Sequence, residues 1–399
     1  MTINTSVSPI SPVMATYSRF PITLVKGKGS YVWDDQGKKY LDFTSGIATC
    51  NLGHVPNVVK EKLEEQLQNL WHCSNLYHIP NQQELAALLT ANSCGDKVFF
   101  CNSGAEANEA AIKMARRYAQ KVKGTDSFGV ITFQQSFHGR TLATLSATGQ
   151  EKIQQGFAPL VKGFSYLPFN DIEALDQLKT LQPAAILLEL VQGEGGVIPA
   201  NPEWVKKIAE ICEEKDILLM VDEIQTGIGR TGTLFAYEQY GIEPDVISVA
   251  KGLGSGFPIG AIIAKEKAAK AFEPGTHGST FGGNPLATAA GVATLSHIIE
   301  SNLLEHVNEI SVYFDELLTK FKEKYTFIEE IRGKGLLKGI VVGDKAPLIV
   351  QKAIENQLLI LTAGPTVVRL LPPLTASKGE INEFTYLLEK TFQSIEEGE

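Results

Sequence analysis

Short apolar, strand-like runs alternate with longer segments of helical character between about residue 51 and residue 295, and this alternation constrains the fold more than any other feature. The runs span residues 98–101, 129–133, 184–190, 218–221, 246–250 and 260–264. The intervals between them have room for helical crossovers, which join parallel strands of one sheet. The sequence therefore predicts an α/β fold whose main sheet is mostly parallel.

The two ends of the chain have different patterns. Residues 29–37 alternate and end in a turn, and residues 39–43 form a return strand, so a hairpin is predicted there. After residue 300, amphipathic helices mix with short strands, and residues 303–325 are one such helix. Its predicted apolar stripe is Leu304, Val307, Ile310 and Phe314. We expect three parts: an N-terminal segment (1–50) that joins the small domain, a large domain (51–300) and a smaller α+β C-terminal domain (301–399).

Composition argues against several classes of function. A formal net charge of -9 disfavours binding to nucleic acid or to an anionic membrane surface, since both call for a basic patch. No apolar run approaches the ~20 residues of a membrane span, and residues 1–16 lack the features of a secretion signal. Scattered cysteines without CxxC spacing favour reduced thiols in a cytoplasmic protein. These cysteines are Cys50, Cys73, Cys94, Cys101 and Cys212. His72 and His78 have no partner at ligand spacing, so no metal site is predicted.

Two of the strand-like runs are followed by a charged residue. Asp222 ends the run that begins at Ile217, and Lys251 follows the run 246–250. Ligands of open α/β sheets bind at the carboxyl ends of the strands. Taken alone, Asp222 is equally well explained as a helix cap or turn residue, and Lys251 as a solvated surface lysine. Together they match the needs of pyridoxal phosphate (PLP), whose aldehyde is held by a lysine amine and whose pyridine nitrogen is kept protonated by a carboxylate.

A strand, a tight turn and a helix are predicted over residues 99–113. Ser103 and Glu106 have the spacing of a capping box, and the helix start at Gly104 and Ala105 has N–H groups that no side chain shields. The buried stripe of this helix is predicted to be Ala107, Ala110, Ala111, Met114 and Tyr118. Such a helix start binds anions through its N–H groups and its dipole, although a capped helix without a ligand explains the pattern equally well.

The segment 227–232 matches the dinucleotide-binding pattern GxGxxG. That pattern has meaning only when a strand directly precedes it and a helix directly follows. Here residues 222–226 intervene, and the helical signal after Thr233 is weak. We interpret the segment as a glycine-rich loop, which disfavours a nicotinamide-dependent dehydrogenase.

Between Tyr17 and Pro373 the chain resembles the class III, fold type I PLP-dependent aminotransferases. The resemblance is carried by four segments in the family's order: 70–77 (LWHCSNLY), 136–141 (SFHGRT), 222–225 (DEIQ) and 279–285 (STFGGNP). It implies the fold type I architecture, a mostly parallel large-domain sheet with flanking helices, PLP as cofactor, and a homodimer whose active sites are shared between subunits.

The resemblance also implies roles for cofactor-binding residues. Lys251 would hold the cofactor covalently and act as the base, and Asp222 would hold the pyridinium proton. The remaining expected cofactor ligands are Ser103, Gly104 and Ala105 at the phosphate, Phe137 stacked on the ring, Gln225 at the ring oxygen, and Thr280 at the phosphate of the other subunit. Phe137 alone is equally well explained as a core aromatic residue.

Substrate binding is implied for five further residues. Arg140 would bind the α-carboxylate of the amino donor, because a guanidinium grips a carboxylate through two hydrogen bonds. Ser279 of the other subunit would assist it, and Tyr17 is also expected to contact substrate. Arg369 would bind the α-carboxylate of glutamate or 2-oxoglutarate, and Glu194 would pair with Arg369 whenever that carboxylate is absent.

One position departs from the pattern of the class. The class often has Glu-Pro before the loop that carries Glu194, whereas this chain has Glu189-Leu190. A leucine lacks the fixed φ of proline. The departure is therefore expected to alter the stiffness of the loop more than its chemistry.

The implied reaction transfers the δ-amino group of N2-acetylornithine to 2-oxoglutarate, a step of arginine biosynthesis. Other donors of the same class remain open at this point: ornithine, succinylornithine, succinyl-diaminopimelate and 4-aminobutyrate. The pocket beyond Arg140 decides among them, and its shape is not visible in the sequence. A same-fold aminomutase, which would not require 2-oxoglutarate, is a further alternative.

Overall fold

The fold is built around a mixed sheet, as seen in a computed structural model that describes residues 12–396. Residues 1–11 and 397–399, at the outer ends of the predicted N-terminal segment and C-terminal domain, lie outside the described residues. Within the described range this sheet has seven strands. In spatial order they are Lys97–Cys101, Gly260–Ala264, Val246–Val249, Leu218–Asp222, Ala185–Leu188, Val130–Phe133 and Phe164–Leu167.

The prediction of a mostly parallel sheet is confirmed, with one strand reversed. Gly260–Ala264 runs antiparallel to both of its neighbours, and the other neighbouring pairs are parallel. The edge strand Phe164–Leu167 was not predicted. Its central residues Ser165 and Tyr166 are not buried, so it lacks the continuous apolar run that marks the inner strands.

Helices cover both faces of the sheet. Alternate residues of the strand Leu218–Asp222 belong to different apolar clusters: Leu219 packs into the larger one, and Met220 into the smaller one beneath the helix Gly104–Arg117. The predicted buried stripe of that helix is confirmed. The other α-helical segments before residue 301 are Ser45–Ala48, Asn57–Leu67, Pro80–Ala91, Leu142–Ala147, Glu151–Gln154, Leu178–Leu181, Pro202–Lys215, Glu266–Ala269 and Pro285–Glu300.

The N-terminal strands join the C-terminal part of the chain. The predicted hairpin is confirmed as Tyr31–Asp34 paired with Lys39–Asp42, and Leu24–Lys28 extends it on the outer side. On the inner side, Lys39–Asp42 pairs in parallel with Leu358–Leu359. The division of the chain into three parts at residues 50 and 300 stays a prediction.

The C-terminal part contains a four-stranded antiparallel sheet within the described residues. Its strands, in spatial order, are Glu330–Lys334, Leu337–Val341, Val367–Leu370 and Leu361–Ala363. The helices of this part are Leu303–Lys324, Ala346–Glu355 and Lys378–Glu396. The predicted helix over 303–325 is confirmed, but its buried stripe begins at Leu303, because Leu304 is only half-buried. Among the helices of residues 12–396, none has the length and apolarity that crossing a membrane requires.

Candidate active site

A cavity of about 400 Å³ opens at the carboxyl ends of the parallel strands. This is the edge at which the sequence predicted a ligand site. The predicted residues that line the cavity are Ser103, Gly104, Ala105, Phe137, Arg140, Glu194, Asp222, Gln225 and Lys251. The structure therefore brings residues from five separate stretches of the chain to one place.

Asp222 is the last residue of its strand, and its carboxylate is buried and held by three donors. Oδ2 accepts hydrogen bonds from Asn108 Nδ2 and from His138 Nδ1, each at 2.8 Å. Oδ1 accepts from the backbone N–H of Ile224 at 3.1 Å. Asn108 lies on the helix Gly104–Arg117, so that helix and the loop after Phe133 together fix the orientation of the carboxylate.

Lys251 begins a short 3₁₀ turn directly after the strand Val246–Val249 and Ala250. Its φ of +39° lies in the left-handed region, which is costly for a residue with a side chain and is often found at functional sites. Burial lowers the pKa of its amine to about 8, although the nearby carboxylates of Glu194 and Asp222 act in the opposite direction. The amine is therefore partly neutral near physiological pH, as a proton acceptor must be.

The predicted anion-binding helix start is formed as expected at Gly104. Ser103 caps the helix, since its Oγ accepts from the N–H of Glu106 at 3.2 Å. The carboxylate of Glu106 accepts from the backbone N–H of Asn102 at 2.7 Å, one residue earlier than in a standard capping box. The first N–H groups of a helix have no acceptor inside it. Gly104 and Ala105 line the cavity, so this helix start borders it.

Phe137 and Arg140 lie on the loop after the strand Val130–Phe133. The guanidinium of Arg140 is 5.7 Å from the centre of the Phe137 ring, and its side chain is exposed. Among the residues that the structure describes, no carboxylate forms an ion pair with Arg140. A guanidinium in this state is available for the carboxylate of a ligand.

A buried ion pair closes another side of the cavity. Arg369 Nη1 is 2.6 Å from Glu194 Oε1, and it also donates to Gln225 Oε1 at 3.2 Å and to the carbonyl of Gly193 at 3.1 Å. A Cβ atom on Gly193 would collide with the Gln225 amide, so a side chain at this position would displace Gln225. Burial favours the neutral acid, but Arg369 overcomes this and holds the pKa of Glu194 below its ordinary value.

The ion pair forms although this chain has Leu190 where the class often has proline. Leu190 is fully buried, and its carbonyl accepts from the N–H of Ala200 at 2.9 Å and from Tyr240 Oη at 3.1 Å. These contacts anchor the start of the loop without the fixed φ of proline.

Four predicted residues do not line this cavity: Arg369, which contacts the lining residues Glu194 and Gln225, and Tyr17, Ser279 and Thr280. Tyr17 is exposed, with Arg19 over its ring at 5.7 Å. Ser279 Oγ accepts from Asn102 Nδ2 at 3.2 Å and lies beside the cavity, whereas Thr280 is exposed. Ser279 and Thr280 are expected to act in the active site of another subunit, and Tyr17 is expected to contact the substrate. The roles of these three residues therefore stay predictions.

The sequence analysis missed several cavity residues. Glu189 follows the strand Ala185–Leu188, as Asp222 ends its own strand, so the rule that found Asp222 applies to it as well. Its carboxylate accepts from the N–H of Phe137 at 2.9 Å, and burial, aided by Asp222, raises its pKa well above the ordinary value. Further residues that were not assigned are His138, within the segment 136–141, and Asn108, Asn102, Thr49, Ile224 and Phe257.

The interpretation of residues 227–232 as a loop agrees with the structure. The segment consists of turns rather than the start of a helix, and Arg230 within it is fully buried. Arg230 donates to the carbonyls of Leu336 and Pro372, so the loop contacts the C-terminal part of the chain.

Comparisons with known proteins identify the family. The sequence profile described as Aminotransferase class-III matches residues 13–392. A protein named acetylornithine aminotransferase from Oceanobacillus iheyensis is 60% identical over 381 residues, which are 96% of this chain and 95% of that protein. This chain therefore belongs to the class III aminotransferases. It is a PLP-dependent aminotransferase of fold type I, as the sequence predicted.

Solved structures support the same assignment. The structure of ornithine aminotransferase from Toxoplasma gondii ME49 has a TM-score of 0.93 at 34% identity, covering 97% of this chain and 94% of that one. The structure of N-acetylornithine aminotransferase from Stenotrophomonas maltophilia K279a has a TM-score of 0.84 at 36% identity, covering 96% and 98%. Since both enzymes share the fold, the fold alone does not select between their substrates.

Proposed function

We propose that this chain transfers the δ-amino group of N2-acetylornithine to 2-oxoglutarate and so forms glutamate. The observation that carries the proposal is the different state of two arginines near one cavity. Arg140 is exposed and unpaired among the described residues, whereas Arg369 is buried and paired with Glu194 at 2.6 Å. An enzyme that accepts two different amino acids in turn needs one arginine that is always available for a carboxylate. It also needs a second arginine that becomes available only when the second substrate binds.

The residues of the cavity fit PLP. The unshielded helix start at Gly104 and Ala105 suits a phosphate, the carboxylate of Asp222 suits a pyridinium nitrogen, and the amine of Lys251 suits an aldehyde. PLP, when bound, supplies an electron sink that stabilises negative charge at the substrate carbon next to the amine. We assign Phe137 to the ring face and Gln225 to the ring oxygen, as the resemblance implies.

Lys251 Nζ is the group that we assign to proton movement at the reacting carbon. A base works best when its pKa is near the operating pH, and burial lowers the pKa of this amine to about 8. Its neighbour Glu194 opposes that decrease.

The choice of acetylornithine rests on Arg140 and on the similar proteins. In this proposal Arg140 binds the α-carboxylate of the donor, with the δ-amine directed at Lys251 and Arg369 left paired. An acyl group on the α-amine removes a positive charge next to Arg140. Binding in this orientation is therefore electrostatically more favourable for N2-acetylornithine than for free ornithine. The name of the Oceanobacillus iheyensis protein, at 60% identity, supports the same donor.

We also propose that the enzyme acts as a homodimer in the cytoplasm. One chain exposes several large apolar side chains, and contiguous exposed apolar surface indicates a covered interface. They include Leu70, Trp71, Leu76, Tyr77 and Phe281. The two segments that carry them are in contact, since Asn75 Nδ2 donates to the carbonyls of Ser279 and Gly282 at 3.1 Å and 2.9 Å. In a dimer this surface would bring Ser279 and Thr280 to the neighbouring site, and the unpaired state of all five cysteines agrees with a reducing compartment.

A panel of amine donors tests the proposal. Purified enzyme with PLP and 2-oxoglutarate is given N2-acetylornithine, ornithine, succinylornithine, succinyl-diaminopimelate or 4-aminobutyrate, and glutamate is measured. We expect the highest kcat/KM with N2-acetylornithine, and no glutamate from a Lys251→Ala control. A higher kcat/KM with free ornithine would contradict the acylated donor, and product formation without 2-oxoglutarate would indicate an aminomutase.

A further inference from the structure

A second carboxyl group lies beside Asp222 at the cavity end of the sheet, and the function proposed above gives it no role. Glu189 directly follows Leu188, the last residue of its strand, and Leu188 is paired with Val221 of the neighbouring parallel strand. The next residues along the two chains are Glu189 and Asp222, and both line the cavity. Neighbouring strands lie ~4.8 Å apart, so the structure places these two acidic residues side by side.

The two side chains differ in how a negative charge on them is stabilised. Asp222 accepts the three hydrogen bonds described above, two of them from side chains. Oε2 of Glu189 accepts from the backbone N–H of Phe137 at 2.9 Å, and within residues 12–396 no lysine or arginine forms an ion pair with Glu189. The residue is only 7% exposed. Of two adjacent acids, the one whose charge is less well stabilised is the one that keeps a proton.

The other charged groups around this end of the cavity leave Glu189 without an ion-pair partner in the described part of the chain. Glu194 is on the same loop and is itself negative, and its counter-charge Arg369, on the C-terminal sheet, lies 2.6 Å from it. Burial lowers the pKa of Lys251 to about 8. The remaining titratable side chains of the cavity lining are His138, which is bound to Asp222, and Arg140. Further titratable side chains nearby are Tyr240, bound to the carbonyl of Leu190, and Glu223, bound to Thr226.

The balance of these contributions favours the protonated form of Glu189. Burial raises the pKa of Glu189 well above its ordinary value, and the negative charge of Asp222 adds to that increase. Backbone hydrogen bonds from Phe137 and Gly193 oppose it. Asp222 can therefore stay ionised beside Glu189, because only one of the two adjacent acids carries a charge.

We propose that Glu189 is a positioning residue that acts as a neutral carboxylic acid: it holds the main chain of Phe137 at the cavity and leaves Asp222 as the single negative charge beside the cofactor ring. The inference rests on the proposed function, in which Phe137 lies on the ring face and Asp222 holds the pyridinium proton. Because the acid acts through these two residues, a side chain of the same shape and without charge should replace it. Glutamine is such a side chain, since its amide oxygen can accept from the N–H of Phe137.

Two variants distinguish a neutral acid from a carboxylate at this position. Glu189→Gln keeps an acceptor for the N–H of Phe137 and carries no charge, whereas Glu189→Ala leaves that N–H without its acceptor. We expect Glu189→Ala to lower kcat and to speed the release of PLP from the holoenzyme into cofactor-free buffer, each by about tenfold. Glu189→Gln should recover most of both losses, because the variant reproduces the neutral state of the acid.

Infrared spectroscopy of the holoenzyme tests the protonation state directly and without turnover. A protonated carboxylic acid has a C=O stretching band that an ionised carboxylate lacks. At pH ~8.5 an ordinary glutamate is ionised, and so is Glu223, whose pKa burial raises to about 7. We expect the unmodified holoenzyme to show this band at that pH and Glu189→Gln to lack it. Glu210→Gln, which removes an exposed carboxylate paired with Lys207, is the matched control and should keep the band.

Four results would each overturn the proposal: no band in the unmodified holoenzyme at pH ~8.5, a band that persists in Glu189→Gln, a kcat of Glu189→Gln as low as that of Glu189→Ala, or an unchanged kcat in Glu189→Ala. The spectrum of the unmodified holoenzyme needs no variant, so misfolding of a variant does not affect it. Neither the infrared band nor the release of PLP depends on which amine donor the enzyme uses. A failure of the proposed donor would therefore leave both results intact.

Discussion

Replacing Glu194 by glutamine should shift the enzyme toward its glutamate half-reaction. For glutamate to bind Arg369, the carboxylate of Glu194 must first leave it. Breaking a fully exposed ion pair costs ~0–1 kcal/mol, and removing one partner of a fully buried pair costs about 3–5 kcal/mol. Here Arg369 is 2% exposed and Glu194 is 31% exposed, so we expect an intermediate value of about 1–2 kcal/mol. Without that cost, the apparent Kd for glutamate should fall by about five- to thirty-fold.

The donor half-reaction should respond in the opposite direction. With Glu194 gone, Arg369 is an unpaired buried cation that attracts the α-carboxylate of the donor away from Arg140. Each half-reaction is followed separately by mixing the enzyme with one substrate and recording the cofactor absorbance in a stopped-flow instrument. Glu389→Gln, which removes a carboxylate paired with Lys324 on the C-terminal helices, is the matched control. Equal changes for glutamate and acetylornithine in Glu194→Gln would refute the switch.

Three further substitutions test the other assignments. Arg140→Ala should raise KM for acetylornithine far more than KM for glutamate, because the lost contact with the carboxylate contributes on the order of 2–4 kcal/mol of binding free energy. Equal increases of the two steady-state KM values would contradict the assignment. Asp222→Ala should lower kcat by at least ~10²-fold while far-ultraviolet circular dichroism stays unchanged, because the electrostatic stabilisation of the reacting carbon is lost; an unchanged kcat would remove Asp222 from the mechanism. In cofactor-free enzyme, burial lowers the pKa of Lys251 from 10.5 to about 8. Below pH 8 the charged amine therefore lowers the free energy of unfolding by at most about 3 kcal/mol. This destabilisation disappears as the pH rises from 8 to 10.5. Lys251→Met should therefore unfold at higher urea concentration below pH 8 and lose that part of the pH dependence, and identical profiles of the two proteins would contradict the burial argument.

Most of the fold could be predicted because its signals are local. The inner strands are continuous apolar runs, and the helix after Ser103 has a cap and an apolar stripe, so a few neighbouring residues suffice to identify each element. The direction of Gly260–Ala264 could not be predicted in this way. An apolar run has the same pattern whether its strand is parallel or antiparallel, and only the path of the connecting chain decides.

The residues of the cavity also differ in whether local sequence signals could identify them. Asp222 and Lys251 were recognised because each directly follows an apolar run, and strand ends of a parallel sheet meet at one edge by geometry alone. The partners of Asp222 were not recognised: His138 is 84 residues away in sequence and Asn108 is 114 away. Nothing in the segments around these residues indicates that their side chains meet.

Residue types and periodicity were enough to indicate a parallel sheet, a lysine, a carboxylate and an anion-binding helix start. The family resemblance implied that Glu194 pairs with Arg369. Only the tertiary structure shows that the pair forms across 175 residues at 2.6 Å and is buried at Arg369, while Arg140 has no ion pair among residues 12–396. The physical reason is the range of the interactions. Backbone hydrogen bonding and apolar periodicity act over a few residues, whereas the strength of a charge interaction depends on distance and burial, which exist only after the whole chain has packed.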